Sequence, residues 1–476
     1  MDCLIEPNGS YQMIGSDFLN LDPATAPPRG RTAWLTQQLR TAITDGTLAP
    51  GTRLPASRVL AGELSVARGT VVEAYRRLGE EGLLVTNHGG GTEVAALAAT
   101  SASLPNPEPD EPTPKELLNI SAGVPDLSGF PRAAWLRAER RVLTTATAAE
   151  LGYADPQGTP RLRTALANWL ARSRGITAGP EQIIVTAGVT GALSLLAQVL
   201  RDQGITDCAI EDPGADGNRR ILDYWLDTLH PIPVDSAGLD VTALARTDAR
   251  AVLVTPAHQF PTGVVLAPDR RRELLAWAEA RGGLVVEDDY DSEYRYDRTP
   301  VRALHAAAPE RVVHISSLSK VLAPALRIGW MIAPTDLHDD LVRKRWATDL
   351  GSPALPQLAL ADLIDSGTLE RHLRSLRLRH RERRDAAVAA IRRYLLGCRI
   401  EGVAAGLHLL VRLPEHVDDT MLAARAEEAG FAVQPLSAHR ISPGPPGLII
   451  GYGPHPPPRL EAALQTLGAI GRFTPA

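Results

Sequence analysis

From Arg31 to Asp45 apolar side chains recur at helical spacing, with Trp34, Leu35, Leu39, Ala42 and Ile43 on one face, and Gly46 stops the pattern. Pro50-Gly51 predicts a turn. Two shorter helices follow, one near Ser57 to Leu64 and one from about Ala67 to Gly82. Only Ser65 and Val66 lie between them, which is helix-turn-helix spacing. Leu83 to Thr86 and Thr92 to Val94 then read as two strands around a glycine turn, the form of a wing. Further on, short apolar runs alternate with helical segments: Ile183–Val185, Ala209–Ile210, Ala251–Val254, Leu284–Val286, Val312–Ile315 and Trp330–Ile332. Uninterrupted apolar runs of that length predict strands covered on both faces, as in a mostly parallel α/β sheet. From about Leu369 an arginine-rich helix leads into a smaller α+β unit that ends with a strand at Leu448–Gly451.

These patterns divide the 476 residues into a loose arm (1–28), a winged helix-turn-helix (29–95), a spacer (96–116) and a large α/β region (117–476). The spacer carries Pro105, Pro107, Pro109, Pro112 and Pro114 among acids, so it is expected to be semi-extended. Ile183 to Leu200 is uncharged, but Thr186, Gly188, Thr190, Gly191, Ser194 and Gln198 interrupt it. A buried strand turning into a buried helix is expected there, and no membrane span. The N-terminus, with Asp2 and Glu6, lacks the charge pattern of a signal peptide. Cys3, Cys208 and Cys398 are too few and too far apart for a disulfide framework, which fits a reducing cytoplasm. A net charge of −5 leaves nucleic-acid binding to a local patch.

Of 50 basic residues only Lys115, Lys320 and Lys344 are lysine. Codon bias explains the arginines, but it makes the lysine in Ser316-Ser317-Leu318-Ser319-Lys320 conspicuous. A Schiff base requires an amine that can lose its proton, which a guanidinium cannot do. An aldimine with pyridoxal phosphate would impose that choice. Thirty residues earlier, Leu284-Val285-Val286-Glu287-Asp288-Asp289-Tyr290 is an apolar strand ending in acids, at the edge where open α/β sheets bind ligands. Thr186-Ala187-Gly188-Val189-Thr190-Gly191 sits where a strand meets a helix, so its backbone N–H groups suit an anion; the glycines also suit simple tight packing.

The string from Leu35 through Gly46, Gly51, Leu54-Pro55, Ser57-Arg58, Arg68, Thr70-Val71 and Ala74-Tyr75 to Glu81-Gly82-Leu83 resembles the winged-helix domain of GntR-type regulators. The resemblance implies that the third helix enters the major groove of an operator duplex. It places contacts on Arg53, Ser57, Arg58, Arg68, Thr70 and either Arg76 or Arg77, with the wing around Gly90 over the backbone. Eight arginines against six acids between Arg29 and Val94 give this module a net charge of about +2.

The large region resembles fold-type-I aminotransferases, and its fusion to a GntR-type head resembles the MocR subfamily of regulators. That implies a multidomain chain, a winged helix-turn-helix joined to an α/β aminotransferase-like domain with a small C-terminal α+β subdomain. It also implies pyridoxal phosphate on Lys320, Asp288 at the pyridine nitrogen and Tyr290 at the ring hydroxyl. Gly188, Val189, Thr190, Ser317, Ser319 and Arg327 would hold the phosphate, and Tyr153, in Gly152-Tyr153-x-Asp155-Pro156-x-Gly158, would reach it from a second subunit. His258-Gln259-Phe260-Pro261-Thr262-Gly263 departs from the family's Asn-Pro-Thr-Gly: Phe260 replaces the asparagine, leaving Gln259 or His258 to cover its role. Arg440 is the first choice for an effector's carboxylate. His305, His314 and His372 lack metal spacing. The chain is therefore expected to be a homodimeric, nucleoid-associated regulator that senses an amino compound or vitamin B6. A working aminotransferase with an accessory head, and a dimerisation scaffold, are the competing expectations.

Overall fold

The structure, a computed structural model, describes residue 27, residues 30–87, 91–95, 117–296 and 301–471, and residue 473. Almost all of the predicted arm, the whole of the predicted spacer, and Gly90 with the tip of the wing lie outside the described residues. Two compact units divide the chain near residue 114.

In the first unit, helices span Arg31–Thr44, Ser57–Glu63 and Arg68–Glu80, within a residue or two of the sequence pattern. Their apolar faces meet in a core of Leu35, Leu39, Ile43, Leu60, Val71 and Leu78, each at most 4% exposed. Ser65, at φ 51°, makes the left-handed step that turns the second helix into the third. Leu84–Asn87 and Gly91–Val94 form the antiparallel wing. A short strand that the pattern did not predict, Arg53–Leu54, pairs with the far side of Gly91–Val94.

The second unit is built on an eight-stranded sheet. Its order is Ile183–Thr186, Gly329–Ile332, Val312–Ser317, Leu284–Asp289, Ala251–Val254, Asp207–Asp212, Thr228–Asp235 and Gly238–Leu239. All six predicted strands are present and the sheet is mostly parallel; Gly329–Ile332 and Gly238–Leu239 run against their neighbours. Five of the six predicted strands are buried on every residue, in keeping with their apolar runs. Ile183 to Leu200 is indeed a strand followed by the helix Gly188–Asp202. No helix among the described residues is long and apolar enough to cross a membrane.

The arginine-rich segment is a 27-residue helix, Thr368–Tyr394. With Pro457–Gly471 it covers a four-stranded antiparallel sheet: Arg399–Glu401, His408–Arg412, Gly447–Gly451 and Gln434–Pro435. This predicted α+β part belongs to the second compact unit and does not separate as a body of its own.

Candidate functional site

Parallel strands end at one edge of a sheet, so the loops after neighbouring strands share that edge. Leu284–Asp289 and Val312–Ser317 pair directly, with Asp288 opposite Ile315 and Asp289 opposite Ser316. Asp288 to Tyr290 and Ser317 to Lys320 therefore leave the sheet side by side. Alternation along the strand sends the two aspartates to different faces. Asp289 meets Arg174 in a buried two-pronged pair, 2.6 and 2.8 Å. Asp288 accepts one bond from Asn218 Nδ2 at 2.8 Å, and its buried Oδ1 has no partner among the described residues. Burial raises the Asp288 carboxyl to about 7, against the effect of the Asn218 bond, and the neighbouring acids add to the rise.

Lys320 lies in the turn after its strand. Leu318, Val321 and Leu322 anchor that turn in the core, and Tyr294 donates to the Lys320 carbonyl at 2.9 Å. The amine donates to the carbonyl oxygen of Gly123. Burial lowers its pKa despite Asp288 and Asp291. An amine that gives up its proton readily is what a carbonyl-attacking lysine requires.

The predicted anion-binding groups come together beside it. The helix Gly188–Asp202 begins with Gly188 at φ 77°, followed by half-buried Val189 and exposed Thr190. Arg327, at φ 49°, donates to Ala187 O at 2.5 Å and lies against Gly188. Ser317 pairs across the sheet with Gly329, where a Cβ would come within 2.8 Å of Gly188 Cα. Glycine at 329 is therefore what lets Ser317, Arg327 and the helix N-terminus converge. Ser319 donates its backbone N–H to Ser317 Oγ at 3.4 Å.

Of the two candidates for the missing asparagine, His258 is the one that reaches Tyr290, with Nδ1 3.1 Å from the phenol oxygen. Gln259, the other candidate, is engaged within the protein. Its amide donates to Glu211, Pro213 O and Phe260 O and accepts from Thr262, so both ends hold the loop itself. The Phe260 ring packs edge-on to Tyr290 and His439. Arg440 follows His439 at the rim. Its guanidinium presses on Gly444 and its buried Nε has no partner among the described residues. Tyr153 is 95% exposed and is not drawn into the pocket of its own chain. Its loop is fixed instead by Asp155, which pairs with Arg163 at 2.9 Å.

Sequence reasoning missed Asn218 and Asp291. Asn218 arrives on a separate helix, Asp216–Trp225, and nothing in its local sequence marks it. Asp291 directly follows Tyr290, which was a usable signal. His258, Asp291 and His408 hold ligand-type atoms within 4.8 Å of one another. Each already has a partner: His258 with Asp291, and His408 with Pro261 O.

In the first unit, Arg53, Arg58 and Arg68 are exposed, and Arg68 lies 3.4 Å from Ser57 Oγ across the helix-turn-helix. Thr70 sits half-buried in the first turn of the third helix. Arg76 and Arg77 are engaged along their own helix. Arg76 is held by Glu73 and Glu80, and Arg77 by Glu73 at 2.8 Å, one turn away along the same helix.

Residues 115–466 match the model of the aminotransferase class I and II family, and residues 32–94 match that of the bacterial regulatory proteins of the gntR family. The chain is 38% identical to the HTH-type pyridoxine biosynthesis transcriptional regulator PdxR of Corynebacterium glutamicum, covering 88% of this chain and 91% of that protein. It is 34% identical to the probable rhizopine catabolism regulatory protein MocR of Rhizobium meliloti, covering 91% and 92%. Among solved structures, an archaeal alanine:glyoxylate aminotransferase aligns with a TM-score of 0.69 at 26% identity, over 75% of this chain and 91% of that one.

Proposed function

Because the chain belongs to the aminotransferase class I and II family and carries a gntR-family head, we propose that Lys320 reports a small amine, or vitamin B6 itself, to that head. It is a pyridoxal-phosphate-dependent transcription regulator. The observation that carries the sensing role is the unpartnered Oδ1 of Asp288, buried beside a lysine whose amine is easily deprotonated.

Pyridoxal phosphate fits this donor set. A pyridinium N–H would satisfy Asp288 Oδ1, and its charge would favour the ionised carboxylate that burial opposes. When bound, the cofactor supplies a carbonyl carbon that amines attack and a ring that withdraws electrons. Ser317, Ser319, Arg327 and the N–H groups of Gly188, Val189 and Thr190 would take its phosphate. Tyr290 would donate to the ring oxygen. Lys320 would hold the cofactor through its carbonyl carbon, a position for which another amine would compete, and the free Lys320 amine has Gly123 O as its resting place. Gly123 belongs to a segment that Asp126 ties to the long helix through Arg379 and Arg383, so occupancy of Lys320 bears on that segment. A contact made in only one of two states is the means by which a ligand shifts a conformational equilibrium.

An amino-acid effector would bring a carboxylate, for which the free Nε of Arg440 is the candidate donor. The exposed Tyr153 suits a side chain that completes the site of a second copy, and a dimer would present two heads to repeated half-sites. The protein would then act in the cytoplasm, on the nucleoid. The test is the visible absorption of purified protein loaded with pyridoxal phosphate. A band that is lost in Lys320→Ala is expected, and a colourless wild-type protein would overturn the proposal. Sustained turnover of an amino donor with a keto acid would mark an enzyme rather than a sensor.

A further inference from the structure

We infer that the stretch from Asp212 to Arg219 is a lever joining Arg440 to Asp288, so that an anion held by Arg440 tightens the grip of Asp288 on the cofactor's pyridine nitrogen. Asp212 and Asn218 are then positioning residues: one fastens the strap that carries Arg440, and the other sets the carboxylate that faces the ring. The inference rests on the cofactor reading above and on Arg440 as the anion contact. At the strap end, buried Asp212 accepts from two successive amides, Ile441 N at Oδ1 and Ser442 N at Oδ2, both at 2.9 Å. Gly214 N donates to His439 O at 2.9 Å, and the Arg219 guanidinium reaches Ala438 O at 3.4 Å. Arg440 is therefore bracketed on both sides by bonds to one short stretch of chain. At the other end, Asn218 stands in the first turn of the helix Asp216–Trp225 and donates from Nδ2 to Asp288 Oδ2 at 2.8 Å. That bond leaves Oδ1 as the oxygen for a pyridinium.

The stretch between the two ends is stiff. A Cβ at Gly214 would collide with the Glu211 carbonyl oxygen, Gln259 donates to Pro213 O at 2.9 Å, and Asp216 pairs with Arg219 across the first turn of the helix. Leu222 anchors the same helix in the core. A displacement of the strap thus reaches Asn218 with little to absorb it. Two routes lead from Arg440 to Asp288, its electric field and these bonds. The charges that bear most on Asp288 are those of Asp289, Asp291 and Lys320, and Arg440 is not among them. The bonded route is the continuous one. Arg440 keeps a buried Nε without a partner among the described residues, so a bound carboxylate adds a charge-assisted hydrogen bond to the strap. A strap already ordered by the anion spares the cofactor that ordering cost. This is positive coupling, and by linkage the cofactor must favour the anion by the same factor.

The test uses propionate, an anion with no amine to compete for the cofactor. Pyridoxal phosphate is titrated by absorbance into the full-length protein, with propionate raised until its effect levels off and chloride matching the ionic strength. Propionate should lower the wild-type Kd by about fivefold or more, the lower end of allosteric coupling. Arg440→Met should abolish that effect. Asn218→Ala should weaken cofactor binding and also shrink the propionate effect to less than about twofold; a residue that merely supported the site would weaken binding and leave the effect whole. Asp212→Asn loses one of its two strap bonds, because an amide nitrogen cannot accept, and should shrink the effect as well.

A propionate effect in wild type no larger than that of chloride, or one of full size in Asn218→Ala, overturns the lever while leaving the cofactor reading intact. A full effect in Arg440→Met places the anion elsewhere and overturns it too. A wild-type protein that binds no pyridoxal phosphate overturns both. Should Asp212→Asn fail to fold, Asn218→Ala decides alone, since Asn218 is half-buried and sits on a helix that alanine suits.

Discussion

Replacing Asp288 with asparagine should change stability and cofactor binding in opposite directions, and both follow from its burial. In the folded protein the Asp288 carboxyl titrates at about 7 because its charge is desolvated. In the unfolded chain it titrates near 3.9. The folded state therefore holds a proton that the unfolded state releases, and stability falls as pH rises through this window. The contribution is fully present below about pH 4 and is lost by the time the folded group has ionised near pH 7. Between pH 5 and pH 8 the loss is about 2–3 kcal/mol for this one group, at 1.36 kcal/mol per pH unit. An amide cannot ionise, so the cofactor-free Asp288→Asn variant should lose about that much less stability between the two pH values. Glu211 and Glu293 are also raised to about 7 by burial, but they are present in both proteins and cancel in the comparison. The amide also cannot offer a charged oxygen to a pyridinium. Losing one charge-assisted hydrogen bond costs about 1.5–3 kcal/mol, or roughly 10- to 150-fold in Kd. The assay is urea unfolding of the cofactor-free protein at pH 5 and pH 8, with cofactor titrations of both proteins by absorbance. An unchanged pH dependence, or a Kd within about twofold of wild type, would refute the reasoning.

Arg174→Met removes the one cation hydrogen-bonded to buried Asp289 among the described residues and should destabilise the second unit by about 3–5 kcal/mol, read as a shift in the urea midpoint; a loss below about 1 kcal/mol contradicts this. Arg68→Ala should weaken operator binding and reduce the salt slope by about 1, because Arg68 carries no carboxylate partner among the described residues. Arg76→Ala should do less in the same titration, since Glu73 and Glu80 already hold that guanidinium; an equal loss would show that DNA displaces both acids. Mixing Tyr153→Phe with Lys320→Ala chains should give dimers in which each defect falls on the same or on opposite sites. Cofactor retention higher than the average of the two parent dimers is expected if Tyr153 serves its partner, because one site then keeps both wild-type residues, and simple averaging would count against it.

The parts of this protein that were legible in advance are those where one short stretch carries both the fold and the chemistry. Leu284–Asp289 announces a buried strand by its apolar run and a ligand-binding edge by its terminal acids, and Ser316 to Lys320 does the same one strand over. The head was legible because helix spacing, the turn and the wing all fall within one short segment, Arg31 to Val94. What stayed hidden depends on chains meeting from far apart. Thr228–Asp235 carries Pro231 and Pro233 and an irregular burial pattern, because it lies toward the sheet's edge and follows no simple period. Asn218 reaches Asp288 across 70 positions. Gln259 looks like a polar group awaiting a ligand, yet five hydrogen bonds within the fold use it up. The pairing of Arg76 and Arg77 was legible too, since Glu73 and Glu80 stand three or four residues away on one helix.

The central claim is that Lys320 transmits the presence of a ligand to the DNA-binding head. Its most direct test is operator affinity at one fixed salt concentration, for cofactor-loaded wild type and Lys320→Ala, with and without a panel of amines and B6 vitamers. At least one compound should change wild-type affinity by about fivefold or more, the lower end of allosteric coupling, and leave Lys320→Ala unmoved. The same change in Lys320→Ala would show that the head is controlled without this lysine, and no change in either protein would show that the second unit does not report to it.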